Sequence, residues 1–262
     1  MRTMTSHIQR ALLHSGLCLM LAVLATASHA QTPDQPTPPS QDTLQPLREK
    51  LQSVLLNSPS STLELTPTPL ANIYQVEISS GDILYADSSG NFLFVGDMFQ
   101  LTPTNSLNLT EEKRKQLRAA AIAAVDTNEM IIYSPDTEPK TTLTIFTDVD
   151  CGFCRRLHSD IEQIVSRGVE VRYLAFPRGG MGSAAYPKML SVWCSSNRPK
   201  SLTQAKRGQN LPRYDCDAPV LEHYALGVRL RITGTPALVT SDGTLIAGYA
   251  GMEALMTTLN LE

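Results

Sequence analysis

The spacing of apolar positions changes several times along the chain, and each change predicts an element. Behind a basic head carrying Arg2 and Arg10, an apolar run from Ala11 to Ala27 ends in Ser28-His29-Ala30. That order predicts a secretory signal peptide over residues 1–30, cut after Ala30. The run is short for a membrane anchor and is interrupted by His14 and Ser15. Residues 31–46, with five prolines and four glutamines, hold too little apolar surface to offset the entropy of ordering, so a disordered tether is expected. Leu47, Leu51, Val54 and Leu55 then recur at helical spacing and predict a short helix from Leu47 to Leu56. Beyond it, the β-prone runs Ile73–Ile78, Ile83–Ala86 and Phe92–Val95 are separated by Ser80-Gly81 and Ser89-Gly90-Asn91, the pattern of an antiparallel meander.

Thr110, followed by Glu111 and Glu112, predicts a capped helix start, because a hydroxyl satisfies free amides and acids oppose the positive helix end. The charged, alanine-rich run after it suits a linking helix over residues 108–127. From Met130 onward strands and helices alternate. Leu143–Phe146 is expected as a strand, Cys154–Val165 as a helix with Leu157, Ile161, Ile164 and Val165 on one stripe, and Val169–Ala175 as a second strand. A helical stretch from Ser183 to Gly227 follows, interrupted by Pro187, Pro199 and Pro212. Pro236–Thr240, the Asp242-Gly243 turn and Thr244–Ala247 read as a hairpin, closed by a helix from Met252. This order predicts a mixed sheet covered on both faces in residues 128–262, joined to a small domain over residues 47–107. The small domain would bury little surface alone, so dimerisation through it is expected.

Charge narrows the function. Loss of residues 1–30 removes Arg2 and Arg10 from the 22 basic residues and none of the 25 acidic ones, so nucleic acid and anionic membrane are excluded as general partners. Cys18 leaves with the signal; Cys151, Cys154, Cys194 and Cys216 remain, an even number that fits disulfide chemistry in an exported chain.

The stretch TDVDCGFCRRLH places Cys151 at a strand-to-helix turn and Cys154 one turn into the helix. Free amides and the helix dipole favour a thiolate at Cys151, and Cys154 is within reach to resolve a mixed disulfide formed there. A structural zinc site would want two converging pairs, and Cys-x2-Cys occurs once. A purely structural Cys151–Cys154 bond would close too short a loop to stabilise much. Hydrolase chemistry would need a histidine base, but His158, expected on the polar helix face without a catalytic role, and the distant His223 are poorly placed. Asp148 and Asp150 are expected to be solvated or to cap the helix. Cys194 and Cys216 suit a structural disulfide closing a loop worth roughly 3 kcal/mol, with a second redox couple as the alternative.

Cys151-Gly152-Phe153-Cys154, with Gly234-Thr235-Pro236 far downstream, resembles the thioredoxin superfamily. FTDVDCGFCRRLH, VRYLAFPRGG, Trp193-Cys194, HYALGVRL and ITGTPALV further resemble the DsbC/DsbG family of periplasmic disulfide isomerases, over nearly all of residues 47–262 and most specifically over 142–250. The resemblance implies an α+β fold: an N-terminal cystatin-like dimerisation domain, a linking helix, and a C-terminal thioredoxin-like α/β domain with a helical insertion. It implies a V-shaped periplasmic homodimer whose apolar cleft receives misfolded, disulfide-containing exported proteins and gives chaperone-like binding. By the same likeness Cys151 is the attacking thiol, Cys154 the resolving thiol, Cys194–Cys216 a structural disulfide and Thr235-Pro236 a cis-proline substrate site. No metal or organic cofactor is expected, and a DsbD-type membrane reductase is the expected electron donor. The rivals within the fold are a DsbG-like reductase of sulfenylated cysteines and a disulfide-donating oxidase; Gly152-Phe153 is more similar to the isomerase dipeptide. Ile145 stands where classical thioredoxins carry a buried acid six residues before the first cysteine, so no carboxylate relay to Cys154 is expected.

Overall fold

A computed structural model describes residues 41–56, 61–214 and 216–261. The expected signal peptide and residues 31–40 of the expected tether lie outside the described residues. Residues 41–46 do not continue a tether. They form a 3-10 turn, Gln41–Leu44, and open helix α1, Gln45–Leu55, where Pro46 in the first turn lacks only an N–H that would have no helical partner.

The buried side of α1, Leu47 and Leu51, packs with Leu44 on an antiparallel sheet. Its strands are β1 (Leu63–Pro67), β2 (Ile73–Ile78), β3 (Ile83–Asp87) and β4 (Leu93–Phe94), in that spatial order. The meander is as expected, with β1 added in front. The fourth strand is shorter than Phe92–Val95, since those four side chains are exposed and have no core to hold a longer ladder. A separate hairpin pairs β5 (Phe99–Leu101) with β6 (Ser106–Asn108).

Helix α2 runs Leu109–Ala123, and its cap is Asn108 rather than Thr110: the Asn108 side chain accepts from Glu111 N–H at 2.9 Å. Thr110 is buried, bonded to the Tyr85 hydroxyl, and accepts from Met98 N–H at 2.8 Å, so it ties the helix to the small domain. Midway along, α2 meets the Asp242-Gly243 turn, where Arg118 Nε donates to Gly243 O at 2.7 Å and Lys115 pairs with Asp242 at 3.0 Å. All of this belongs to one compact unit spanning Pro39–Glu262.

The second sheet contains β7 (Ile131–Tyr133), β8 (Thr141–Thr147), β9 (Val169–Ala175), β10 (Ala237–Thr240) and β11 (Leu245–Ala247), ordered β11-β10-β8-β9-β7. Only β8 and β9 run parallel, which is the mixed sheet the alternation predicts. Successive residues of β8 serve opposite faces. Ile145 joins a core with Leu157, Tyr173 and Trp193, while Phe146 joins another with Leu174, Phe176 and Leu226.

The helix expected over Cys154–Val165 is two: α3, Gly152–Ser159, and α4, Ile161–Ser166. The break falls at Asp160, whose carboxylate accepts from the Tyr249 hydroxyl at 2.7 Å. Leu157, Ile161 and Ile164 are buried as the stripe predicts, whereas Val165 is half-buried. The later helices are α5 (Ala185–Trp193), α6 (Arg198–Lys206), α7 (Val220–Arg229) and α8 (Met252–Leu259). Pro187 and Pro199 do not interrupt helices; each sits in a first turn, where the missing N–H costs little.

Candidate redox active site

Strand β8 delivers the chain from the sheet interior into the turn before α3. There Asp148 is 2% exposed, not solvated and not a helix cap. Its carboxylate accepts from Asp150 N–H at 2.8 Å, from Arg178 N–H at 3.0 Å and from Arg178 Nε at 3.1 Å. Those bonds hold the turn against the loop after β9. Asp150 remains nearer the surface, paired with Arg155 at 3.1 Å and Lys188 at 2.8 Å.

Cys151 is the N-cap residue of α3, in extended conformation, and makes no side-chain cap of its own. Its free thiol donates to Thr235 O at 3.2 Å across 84 residues of sequence. The Thr235-Pro236 peptide bond is cis; Thr235 is half-buried and Pro236 buried. Cys154, also a free thiol, is fully buried beneath Cys151, while Phe153 between them is 62% exposed.

Electrostatics separate the two thiols. Burial pushes Cys151 up, but Thr235, the Cys154 amide and thiol, and the Arg178 guanidinium together outweigh it, so its pKa lies below the ordinary thiol value. The amide contribution is the helix-start effect expected from the sequence. The Thr235 hydroxyl is buried without a hydrogen-bond partner among the described residues. For Cys154 burial prevails over the opposing Lys206 charge, and its pKa is raised. A more readily ionised thiol at Cys151 beside a less readily ionised one at Cys154 is the order that suits thiol–disulfide exchange.

Two of the residues around this pair have no role that the sequence alone assigned. Lys206, at the end of α6, is 4% exposed and donates from Nζ to Thr147 Oγ1 at 2.5 Å and to Asp148 O at 3.0 Å. Arg178, within VRYLAFPRGG, is the second, and both reach the site only through folding. His158 is not on a polar face. It is buried, with Nδ1 3.1 Å from the Tyr173 hydroxyl and Nε2 2.9 Å from Thr203 Oγ1. Burial, reinforced by the Lys206 and Arg207 charges, lowers its pKa to about 3.

Cys194, at the C-terminal end of α5, forms a disulfide with Cys216, ahead of α7. Among the described residues, no group of three or more His, Cys, Asp or Glu is placed to hold a metal ion, and no helix is long and apolar enough to cross a membrane.

Residues 127–261 match the model of a thioredoxin-like domain, and residues 26–111 that of the disulfide bond isomerase protein N-terminal domain. The chain is similar to the thiol:disulfide interchange protein DsbC of Escherichia coli K12, 36% identical over 200 residues that cover 76% of this chain and 81% of that one. It is 32% identical over 219 residues to the DsbC of Haemophilus influenzae, covering 81% and 88% of the two chains. Among solved structures it resembles the disulfide interchange protein from Neisseria gonorrhoeae, with 29% identity, a TM-score of 0.46, and coverage of 52% of this chain and 96% of that one.

Proposed function

The chain belongs to the DsbC family of thiol:disulfide interchange proteins, and from that premise we propose that it rearranges wrong disulfides in exported proteins through Cys151 and Cys154. It is a thiol:disulfide isomerase with a thioredoxin-like domain. The Cys151 thiolate attacks one sulfur of a substrate disulfide; a Cys151–substrate bond forms and the other substrate sulfur leaves as a thiolate. A different substrate thiolate then attacks the substrate sulfur of that mixed disulfide, forming the rearranged bond and returning Cys151. When no such thiolate arrives, Cys154 attacks Cys151, the substrate leaves reduced, and the Cys151–Cys154 disulfide must be reduced by a donor, for which a DsbD-type membrane reductase is proposed.

The observation that carries this reading is the Cys151 sulfur at the start of α3, in a residue 3% exposed, 3.2 Å from Thr235 O beside the cis proline. Pro236 has no N–H, and the Thr235 backbone beside the sulfur offers an extended substrate a place to pair. The pairing of Cys194 with Cys216 supports a structural role, since it ties the segment after α6 back to α5. A homodimer is supported by the exposed apolar side chains of the small domain, Phe92, Phe94, Val95, Phe99 and Leu101, which cluster on and around β4 and β5. The periplasm is the proposed compartment, and the dimer cleft the proposed chaperone-like surface.

The test is recovery of activity by a scrambled multi-disulfide protein. Cys151→Ser should abolish it, and Cys154→Ser should accumulate mixed disulfides; rearrangement that persists in Cys151→Ser would remove Cys151 as the nucleophile. Acid quenching and thiol alkylation in cells should find Cys151 and Cys154 reduced beside an oxidised Cys194–Cys216 pair. An oxidised active pair would favour a disulfide-donating oxidase.

A further inference from the structure

Behind the cysteine pair the central strand presents Ile145, and no carboxylate stands there. A lysine comes in from the side instead. Lys206 is almost wholly buried at the end of α6, and no carboxylate of the described residues lies within ion-pair distance of its Nζ. Its partners are a hydroxyl, Thr147 Oγ1, and a carbonyl, Asp148 O. An ammonium without a counter-ion in such a place costs several kcal/mol, so a lysine here calls for a reason beyond packing.

The same two residues serve Cys154. The Thr147 hydroxyl and the Asp148 amide both favour its thiolate, and the Lys206 charge acts in the same direction. Thr147 is therefore bonded to the buried amine and acts on the buried thiol as well. We propose that Lys206 holds the proton Cys154 must surrender: its neutral amine takes that proton by way of the Thr147 hydroxyl, and the resulting ammonium steadies the thiolate.

The bookkeeping closes without an added reagent. The Cys154 S–H proton passes to Thr147 Oγ1 as the hydroxyl proton passes to Lys206 Nζ. The Cys154 thiolate attacks Cys151, the Cys151–Cys154 bond forms, the Cys151–substrate bond breaks, and the substrate sulfur leaves with the electron pair and is protonated by water. This rests on Cys154 being the resolving thiol. Lys206 reaches the reacting sulfur through Thr147 and is thus a positioning residue.

The surroundings suit the exchange. Burial pulls Lys206 down to about 8, against the opposing influence of Cys154, Asp148 and Cys151, with Arg155 adding to the lowering. The Asp148 carboxylate is turned toward Arg178, and the buried His158 is bonded to Tyr173 and Thr203, so neither competes for the proton. Arg207, the next residue in the chain, acts on His158.

The experiment uses the full protein with glutathione attached to Cys151, and follows glutathione release from pH 6 to 10 in the wild type, Lys206→Met and Thr147→Val. Alkylation of Cys151 in the reduced proteins is followed in parallel. Lys206→Met, of similar length and uncharged, should slow release at pH 7 by about ten-fold or more and shift the inflection of the profile upward, while Cys151 alkylation changes by less than about three-fold. Thr147→Val should slow release in the same way with the lysine still present. An unchanged release profile in Lys206→Met overturns the proposal, as does a parallel loss of release and Cys151 alkylation, which reports a distorted site. Should Lys206→Met fail to fold, as judged by circular dichroism, Thr147→Val decides: wild-type release in it overturns the relay. Release at the wild-type rate from Cys154→Ser would instead show that Cys154 is not the resolving thiol, whatever Lys206 does.

Discussion

Acid should unfold this protein through its buried imidazoles, and His158 allows the effect to be measured by itself. Thr203 Oγ1 already donates to Pro199 O at 3.1 Å, so it accepts from His158 Nε2–H. Nδ1 in turn accepts from the Tyr173 hydroxyl, whose burial keeps it protonated. The ring is therefore satisfied as a neutral tautomer, and its pKa falls from 6.5 to about 3. His223 behaves similarly, at about 4 through burial and the Arg198 charge. Above pH 6.5 both folded and unfolded rings are neutral and the stability is fully present. As pH falls below 6.5, the unfolded chain binds protons that the folded one refuses, and each ring withdraws about 1.4 kcal/mol per pH unit down to its folded pKa. At pH 4.5 that is about 3 kcal/mol from His158 and about as much from His223, a large share of a stability typically on the order of 5–15 kcal/mol. His158→Gln keeps one donor and one acceptor but does not titrate. Urea unfolding of both proteins, followed by circular dichroism at pH 7.0, 5.5 and 4.5, should show the variant less stable at neutral pH and the gap narrowing by about 3 kcal/mol at pH 4.5. Carboxylates common to both proteins cancel in that difference. Parallel curves would refute the reasoning, because they would mean His158 titrates alike in both states.

Three other outcomes follow from the same structure. Replacing Cys194 and Cys216 together by alanine removes a bond between residues 22 apart and should cost about 3 kcal/mol in urea unfolding, with rearrangement activity retained below the new transition; an unchanged midpoint would deny the disulfide its structural role. Gly243→Ala would put a Cβ 1.9 Å from Lys115 O at a residue with φ of +86°, so it should lower stability by more than about 1 kcal/mol and speed amide exchange in α2, whereas an unaltered exchange pattern would contradict the docking of α2 on this turn. Phe94→Asp combined with Phe99→Asp places charge in the exposed apolar cluster and should give monomers in sedimentation velocity at micromolar concentration; an intact dimer would move the interface elsewhere.

Much of the catalytic framework was readable along the chain because its causes are local. The β-rich runs, the Asp242-Gly243 hairpin and the apolar stripe of α3 and α4 each lie within a few residues of the signal that specifies them. The placement of Cys151 at a helix start follows from the same short range, and with it the Cys154 amide's share in lowering the thiol pKa, whereas the larger share of Thr235 comes from 84 residues away. Where two local signals competed, folding chose between them. Asn108 caps α2 because Thr110 is drawn inward to Tyr85, and Asp160 breaks the first helix where its carboxylate meets Tyr249, 89 residues away.

Burial of polar groups was decided by tertiary structure alone. Periodicity tells which face of an element is apolar, but not which partners make a buried polar group tolerable, since those partners come from distant segments. Asp148 waits for Arg178, His158 for Tyr173 and Thr203, and Cys151 for Thr235. Lys206 is the clearest case. In sequence it is one basic residue among several in a polar helix; only packing α6 against the end of β8 withdraws it from water and sets it, through Thr147, beside the Cys154 sulfur.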